Sequence, residues 1–298
     1  MVDEFKNQSY SFIDAGNGKK LEKFGVYHLI RPDALATGKS KIPFEEWQKI
    51  ADAEFVEQKN NVGSWIIKNK LNQPWQVDFK TKDFTLNFLL DLSTSKHVGI
   101  FPEHLQNWLF IYSSVKEISK IKPAKVLNLF AYTGGASLAA KAAGAEVTHV
   151  EALKQLVNKS AINMNASGLD SIKWVVEDAF RFVKREAKRG HEYQGIILDP
   201  PAFGRGPKGQ KWILDQFLKE LLADVFSILD KENGFIILNT YSPKITENNI
   251  ENFLPKEHFG LIVNNSWLRL TSKLGAEIKV SLCTKIYTES LSPLFLKH

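Results

Sequence analysis

The sequence predicts an α/β protein: a seven-stranded, mostly parallel sheet with one antiparallel strand, preceded by a small β-rich domain. Three observations predict it. After Pro123, short aliphatic and β-branched runs alternate strictly with helical stretches, the pattern of parallel strands joined by crossover helices. The last two apolar runs, 261–270 and 279–287, are joined by a polar connection too short for a helical crossover. They should therefore pair antiparallel and close the sheet. Between Leu21 and Phe101 the text is mostly short strand-like pieces separated by turn signals.

Taken in order, residues 1–18 are polar, contain Gly16-Asn17-Gly18, and read as a loosely ordered tail. Residues 19–101 form the accessory domain, with strands around Gly25–Ile30, Ser64–Ile67, Trp75–Phe79 and Phe84–Leu90. One short helix is expected from Pro43 to Phe55. His28, Trp47, Trp65 and Trp75 read as core or edge residues, the commoner fate of such side chains. Residues 102–298 form the main domain. It opens with a bridging helix over Glu103–Ser119, apolar at Leu105, Trp108, Leu109, Tyr112, Val115 and Ile118. The strands that follow are Lys125–Phe130, Glu146–Glu151, Ile172–Val176, Gly195–Asp199 and Gly234–Leu238. The helices between them are expected over Ala136–Ala143, up to Asn165, over Ala179–Lys188 and over Gln210–Leu229.

Composition narrows the class. The chain has 298 residues, 44% hydrophobic and 24% charged, which are ordinary globular values. No apolar run approaches the ~20 residues that span a bilayer, and the N-terminus lacks the plan of a signal peptide. A single cysteine excludes an internal disulfide and a cysteine-rich zinc site. The expected setting is cytoplasmic, without membrane or metal. The formal charge is +6, of which +5 lies in residues 102–298. Such an excess fits a polyanionic partner without establishing one.

The stretch Gly195-Ile196-Ile197-Leu198-Asp199-Pro200-Pro201-Ala202-Phe203-Gly204 organises the main domain. A buried strand ends in a carboxylate and two prolines, which stop the strand and whose carbonyls are acceptors only. In open α/β sheets, ligands bind beyond the carboxyl ends of the strands. Three further features fall at such ends. The first turn, Phe130-Ala131-Tyr132-Thr133-Gly134-Gly135, lets a ligand approach the backbone but lacks the G-x-G-x-x-G phosphate fingerprint. Glu151, seventeen residues after Gly134, can accept both hydroxyls of a ribose. Asp178 in Glu177-Asp178-Ala179 can meet an adenine amine or simply cap a helix.

These residues (Asn128–Ser137, Val150-Glu151, Glu177-Asp178-Ala179 and Leu198–Gly204) resemble the class I S-adenosylmethionine-dependent methyltransferases, with their Rossmann-like sheet. More narrowly the chain is similar to the branch holding bacterial large-subunit rRNA cytosine-C5 and guanine-N7 methyltransferases, and to a bacterial group within it whose substrate is unassigned. The resemblance runs from about Leu21 to Tyr287 and includes His97-Val98-Gly99-Ile100-Phe101-Pro102-Glu103. It implies S-adenosylmethionine as cofactor. It further implies a cofactor site drawn from Phe101, Glu103, Asn128, Phe130, Tyr132, Gly134, Gly135, Glu151, Asp178, Ala179 and Asp199, with Gly134 beside the methionine moiety.

Methyl transfer from a sulfonium needs mainly in-line positioning of the nucleophile. Asp199, Pro200 and Pro201 supply acceptors for an N–H, and Phe203 a face on which an extruded base can stack. These four are the candidate catalytic residues. Methylating a pyrimidine C5 needs a cysteine thiolate, and in the cytosine-C5 relatives one follows the fifth strand. Here that segment is Leu238-Asn239-Thr240-Tyr241-Ser242-Pro243, and Cys283 lies inside a terminal strand, where packing is its expected role. The departure favours a nitrogen target, guanine N7 or an exocyclic amine. The loop 204–212, with Arg205, Lys208 and Lys211 ahead of Trp212, is either an RNA grip or a solvated loop. Lys184, Arg185, Lys188 and Arg189 read as a solvated helix face. The expectation is an RNA nitrogen methyltransferase, with rRNA as the favoured substrate and the β-domain helping to hold it. The alternatives are a methyltransferase for a small molecule or protein side chain, and a non-catalytic RNA-binding module.

Overall fold

The computed structural model describes residues 9–59, 62–205, 211–258 and 260–292. Contacts divide the chain into two units: residues up to Glu103 together with Leu268–Val280, and the remainder.

The first unit is built on a five-stranded sheet of β1 (Tyr10–Gly16), β2 (Lys19–Phe24), β3 (Tyr27–Pro32), β4 (Ala53–Lys59) and β5 (Val62–Ile67), in that order. Helix α1 (Phe44–Ile50) connects β3 to β4, and β6 (Trp75–Lys80) pairs with β7 (Thr85–Leu90) as a separate hairpin. The strand β1 corrects the expectation of a loose tail for residues 10–16, while residues 1–8 lie outside the described residues. Asn17 (φ 54°) and Gly18 (φ 76°) are both left-handed, which makes the turn of a tight hairpin between β1 and β2. Asp14 is fully buried in β1 and accepts hydrogen bonds from the Ala15, Lys41 and Ile42 amides and from the Trp47 indole. A carboxylate so satisfied anchors a strand rather than a tail. The helix expected to reach Phe55 stops at Ile50, because Ala53–Lys59 is drawn into the sheet between β3 and β5. Trp47 is fully buried and Trp75 is buried. Among the charged groups, Glu22 is fully buried against Arg31, at 2.8 Å from Nε and 2.6 Å from Nη2.

The second unit carries α2 (Leu105–Ile118), β8 (Lys125–Leu129), α3 (Gly135–Ala142), β9 (Glu146–Glu151), α4 (Lys154–Ala166), β10 (Lys173–Val176), α5 (Ala179–Arg189) and β11 (Gly195–Leu198). A short hairpin of β12 (Phe203–Arg205) and β13 (Lys211–Ile213) precedes α6 (Leu214–Ser227) and β14 (Phe235–Thr240). The long strands β15 (Ile262–Thr271) and β16 (Glu277–Tyr287) follow, and the segment Leu268–Val280 that joins them belongs to the first unit. There Leu270, Ala276 and Ile278 share a core with Phe12, Ala15 and Ala36. The helix expected from Gln210 begins only at Leu214, since Lys211–Ile213 pairs with Phe203–Arg205.

The seven-stranded sheet has the order β10-β9-β8-β11-β14-β16-β15, with β16 antiparallel to β14. This is the mostly parallel sheet with a reversed strand that the sequence predicts. Every residue of β11 and β14 is buried, as strands covered on both faces must be. Leu127, Leu129, Ile196, Leu198, Ile236 and Leu238 form one core with Phe182 of α5 and Leu218, Leu221 and Leu222 of α6. The parallel registers align the strand ends: Leu129 lies opposite Val150 and Leu198, Val176 opposite Glu151, and Leu198 opposite Leu238. The residues that follow β8, β9, β10, β11 and β14 therefore share one edge.

Candidate active site

The first turn of the edge, after β8, is bent sharply. Phe130 (φ 54°), Tyr132 (φ 49°) and Gly134 (φ 95°) are left-handed, a conformation that costs a non-glycine residue on the order of 1 kcal/mol or more. A polar network behind the turn supports it. Ser160 Oγ donates to the Tyr132 carbonyl at 2.9 Å, and Asn163 Nδ2 to that of Thr133 at 3.0 Å. His149, fully buried, lies 3.0 Å from Ser137 Oγ through Nδ1 and 3.4 Å from Ser160 Oγ through Nε2. Asn128 Nδ2 donates to Ser137 Oγ at 2.9 Å. Asn128, expected at the cofactor, is thus buried in this supporting layer. Burial pushes the His149 pKa down to about 3, so its imidazole is neutral. Gly135 is required by packing, since a Cβ there would stand 2.5 Å from the Trp108 ring.

Glu151 ends β9. Its Oε2 accepts the Tyr132 amide at 3.1 Å and its Oε1 the Leu153 amide at 3.0 Å. One carboxylate thereby ties the β8 turn to the start of α4. The Ala152 amide is directed at the same carboxylate, which still has acceptor capacity for a ribose hydroxyl. Burial raises its pKa against these amides, which lower it. Asp178 caps α5 by accepting the Arg181 amide at 3.0 Å, and Ala179 is buried as the helix begins. Two carboxylates at neighbouring strand ends, both acceptors, and a turn with glycine at its close make a set of groups that fits a nucleoside cofactor. Glu151 would hold its ribose, Asp178 its adenine and Gly134 its amino-acid portion. Phe101 and Glu103 fall in the first unit, where the Phe101 ring packs edge-on to His97 at 5.2 Å.

At the end of β11 the structure adds what sequence reasoning missed. The Tyr241 hydroxyl donates to Asp199 Oδ1 at 2.9 Å. His104 Nε2 lies 3.2 Å from that hydroxyl and 3.6 Å from Asp199 Oδ2. Tyr241 directly follows β14, the next strand of the same edge, and the rule that singled out Glu151, Asp178 and Asp199 reaches it too. His104, ahead of α2, carries no such signal. The prolines keep the chain extended to Phe203, which is 69% exposed. The Pro201 carbonyl accepts the Trp212 indole N–H at 2.7 Å, so that acceptor is engaged within the protein. Trp212 also packs on Phe130 at 5.5 Å and stacks on Phe217 at 5.6 Å. The hairpin β12–β13 is thereby fixed to the first turn. Lys208 and the side chains of Arg205 and Lys211 lie outside the described residues. On α5, Arg185 clasps both Glu177 oxygens, at 2.7 and 2.6 Å, Lys184 meets Glu220 at 2.5 Å, and Arg189 lies 3.4 Å from Glu186. Of the cluster Lys184, Arg185, Lys188 and Arg189, three side chains are thus paired with acids.

Cys283 is buried in β16, opposite Asn239, with its thiol directed to Asn107 Oδ1 at 3.4 Å. Burial pushes its pKa up to about 11. Among the described residues, no three His, Cys, Asp or Glu side chains are grouped to hold a metal ion, and no helix is long and apolar enough to cross a membrane.

Strand order and edge together define a Rossmann-like methyltransferase sheet with acidic side chains at successive strand ends. The chain belongs to the S-adenosylmethionine-dependent methyltransferase family, whose model matches residues 59–248. It is similar to the ribosomal RNA large subunit methyltransferase K/L of Shewanella frigidimarina, 27% identical over 55% of this chain and 22% of that protein. It is also similar to the ribosomal RNA large subunit methyltransferase I of Aeromonas salmonicida, 29% identical over 40% of this chain and 29% of that one. These matches thus span less than a third of either relative's length. The crystal structure of a SAM-dependent methyltransferase from Agrobacterium tumefaciens superposes with a TM-score of 0.85 at 34% identity, over 94% of this chain and 91% of that one. The protein is an S-adenosylmethionine-dependent methyltransferase, and the reading as a non-catalytic module falls away.

Proposed function

We propose that this enzyme methylates a nitrogen of an RNA base, with rRNA as the substrate. The observation that carries the reading is the edge after β11, where the acceptor-only carboxylate of Asp199 stands four residues before the exposed ring of Phe203. An aromatic face beside a hydrogen-bond acceptor suits a base taken out of its stack. Two similar proteins named as rRNA large subunit methyltransferases support RNA as the substrate class, as does the positive charge concentrated in residues 102–298. Nitrogen is favoured over carbon because the chain's only cysteine is buried in β16 with its pKa raised to about 11. A thiol so placed is not the accessible thiolate that attack on a pyrimidine ring requires.

When bound, S-adenosylmethionine supplies an activated methyl group. Glu151 and Asp178 would orient its nucleoside, and the turn 130–135 would border the methionine portion. Asp199 would hold the acceptor nitrogen in line. Arg205, Lys208 and Lys211 are assigned to backbone phosphates, and the first unit to holding RNA. The test uses rRNA from a strain lacking the gene, with radiolabelled S-adenosylmethionine. The wild type should label this rRNA, and Asp199→Ala should not, while still binding the cofactor. Equal labelling by both would refute the assignment of Asp199, and absence of labelling by the wild type would refute RNA as substrate.

A further inference from the structure

The contacts of Asp199 carry information about the nitrogen it faces. The Tyr241 hydroxyl has one proton and gives it to Asp199 Oδ1. The His104 Nε2 that lies 3.2 Å from the same hydroxyl must then be the donor of that pair, so it carries hydrogen. Both hydrogen bonds run toward the carboxylate. His104 and Tyr241 come from different elements, which are braced directly beneath. Asn107, one helical turn after His104, donates to Asn239 Oδ1 at 3.2 Å, and both are buried. Two buried amides thus set the spacing of the imidazole and the phenol. The Asp199 side chain is 22% exposed and that of His104 10%, so the carboxylate opens to solvent while the imidazole is covered.

We propose that Tyr241 and His104 are positioning residues that hold Asp199 as an oriented acceptor, and that this edge therefore selects a nitrogen bearing hydrogen. This rests on the RNA-base reading above and narrows it to an exocyclic amine. An amine donates an N–H to the carboxylate and keeps its lone pair for the methyl group. A ring nitrogen such as guanine N7 presents only a lone pair, and would meet an acceptor with an acceptor. In the transfer, the amine lone pair forms the N–C bond as the C–S bond breaks and its electrons pass to sulfur. The proton that the methylated nitrogen must shed goes to Asp199 and then to solvent.

The experiment compares Tyr241→Phe, His104→Gln and His104→Ala with the wild type on rRNA from the deletion strain, and measures cofactor affinity by calorimetry. Tyr241→Phe should lower kcat about tenfold or more with cofactor Kd unchanged. His104→Gln, which keeps a donor, should recover most of what His104→Ala loses. Digestion to nucleosides should place the new methyl group on an exocyclic amine. Wild-type turnover in Tyr241→Phe, no rescue by glutamine, or a methyl group on N7 would each overturn the proposal. A wild type that binds cofactor but labels no rRNA would instead overturn the RNA reading. The positioning claim then rests on nitrogen-15 spectra of the histidines. They should show His104 protonated at Nε2, with the signal shifting in Tyr241→Phe; an unperturbed signal would refute it.

Discussion

Replacing Glu151 by glutamine separates the binding role of this carboxylate from its structural one. In the wild type the two oxygens accept the Tyr132 amide at 3.1 Å and the Leu153 amide at 3.0 Å, with the Ala152 amide also directed at the carboxylate, and the remaining acceptor capacity is assigned to a ribose hydroxyl. Glutamine has a single oxygen, for which the amides compete with the hydroxyl, and it turns an N–H₂ toward one of the amides. The cofactor thus loses its charge-assisted hydrogen bond. That amounts to about 2–3 kcal/mol, roughly 30- to 150-fold in Kd. Stability moves less, because burial already disfavours the ionised form. A carboxyl with a raised folded pKa contributes stability that is full below its unfolded pKa and is lost as pH rises through the folded one. Neutral glutamine relieves that loss at neutral pH, offsetting its lost amide bond. Titration calorimetry and urea denaturation read the two effects apart. The wild-type affinity should also weaken as pH falls toward the raised pKa, since a protonated carboxyl loses an acceptor, while the glutamine variant stays flat. Unaltered affinity in Glu151→Gln would refute the ribose assignment.

Other expectations follow from the same geometry. His149 is neutral in the fold with a pKa near 3, so lowering pH from about 6.5 to that value should cost stability on the order of 4 kcal/mol. His149→Gln should flatten this dependence in urea melts compared at neutral pH and about pH 4.5; an unchanged slope would contradict it. Cys283 should resist thiol reagents in the native protein at neutral pH and react on unfolding, and Cys283→Ser should retain methyl transfer. Complete loss of transfer would reopen a thiolate route. Gly135→Ala drives a Cβ into the rigid Trp108 ring and should lower stability by about 1–3 kcal/mol, seen as a lower urea midpoint.

The sheet was legible in the sequence because its strands are continuous apolar runs closed by recognisable caps and turns. The edge was legible for the same reason: once β9, β10 and β11 are located, Glu151, Asp178 and Asp199 fall at their ends. Where the reading departed from the structure, non-local pairing decided. Tyr10–Gly16 looks polar, yet Asp14 is buried by four donors, three of them beyond residue 40. The Asn17-Gly18 pair that gave the stretch its loose appearance is the hairpin turn itself. Likewise Lys211–Ile213 continues a helical pattern and is held out of α6 by pairing with Phe203–Arg205. The support of Asp199 was hidden because His104 and Tyr241 stand 95 residues before and 42 after it. Only the braced meeting of α2 and β14 shows them as partners.

On the proposed reading, this methyltransferase modifies an RNA base nitrogen at the Asp199 edge. Mass spectrometry of rRNA nucleosides from wild-type and deletion strains tests it most directly. One N-methylated base should disappear on deletion, return with the wild-type gene, and stay absent with Asp199→Ala. An unchanged set of methylated nucleosides, or the loss of a C-methylated pyrimidine, would contradict it.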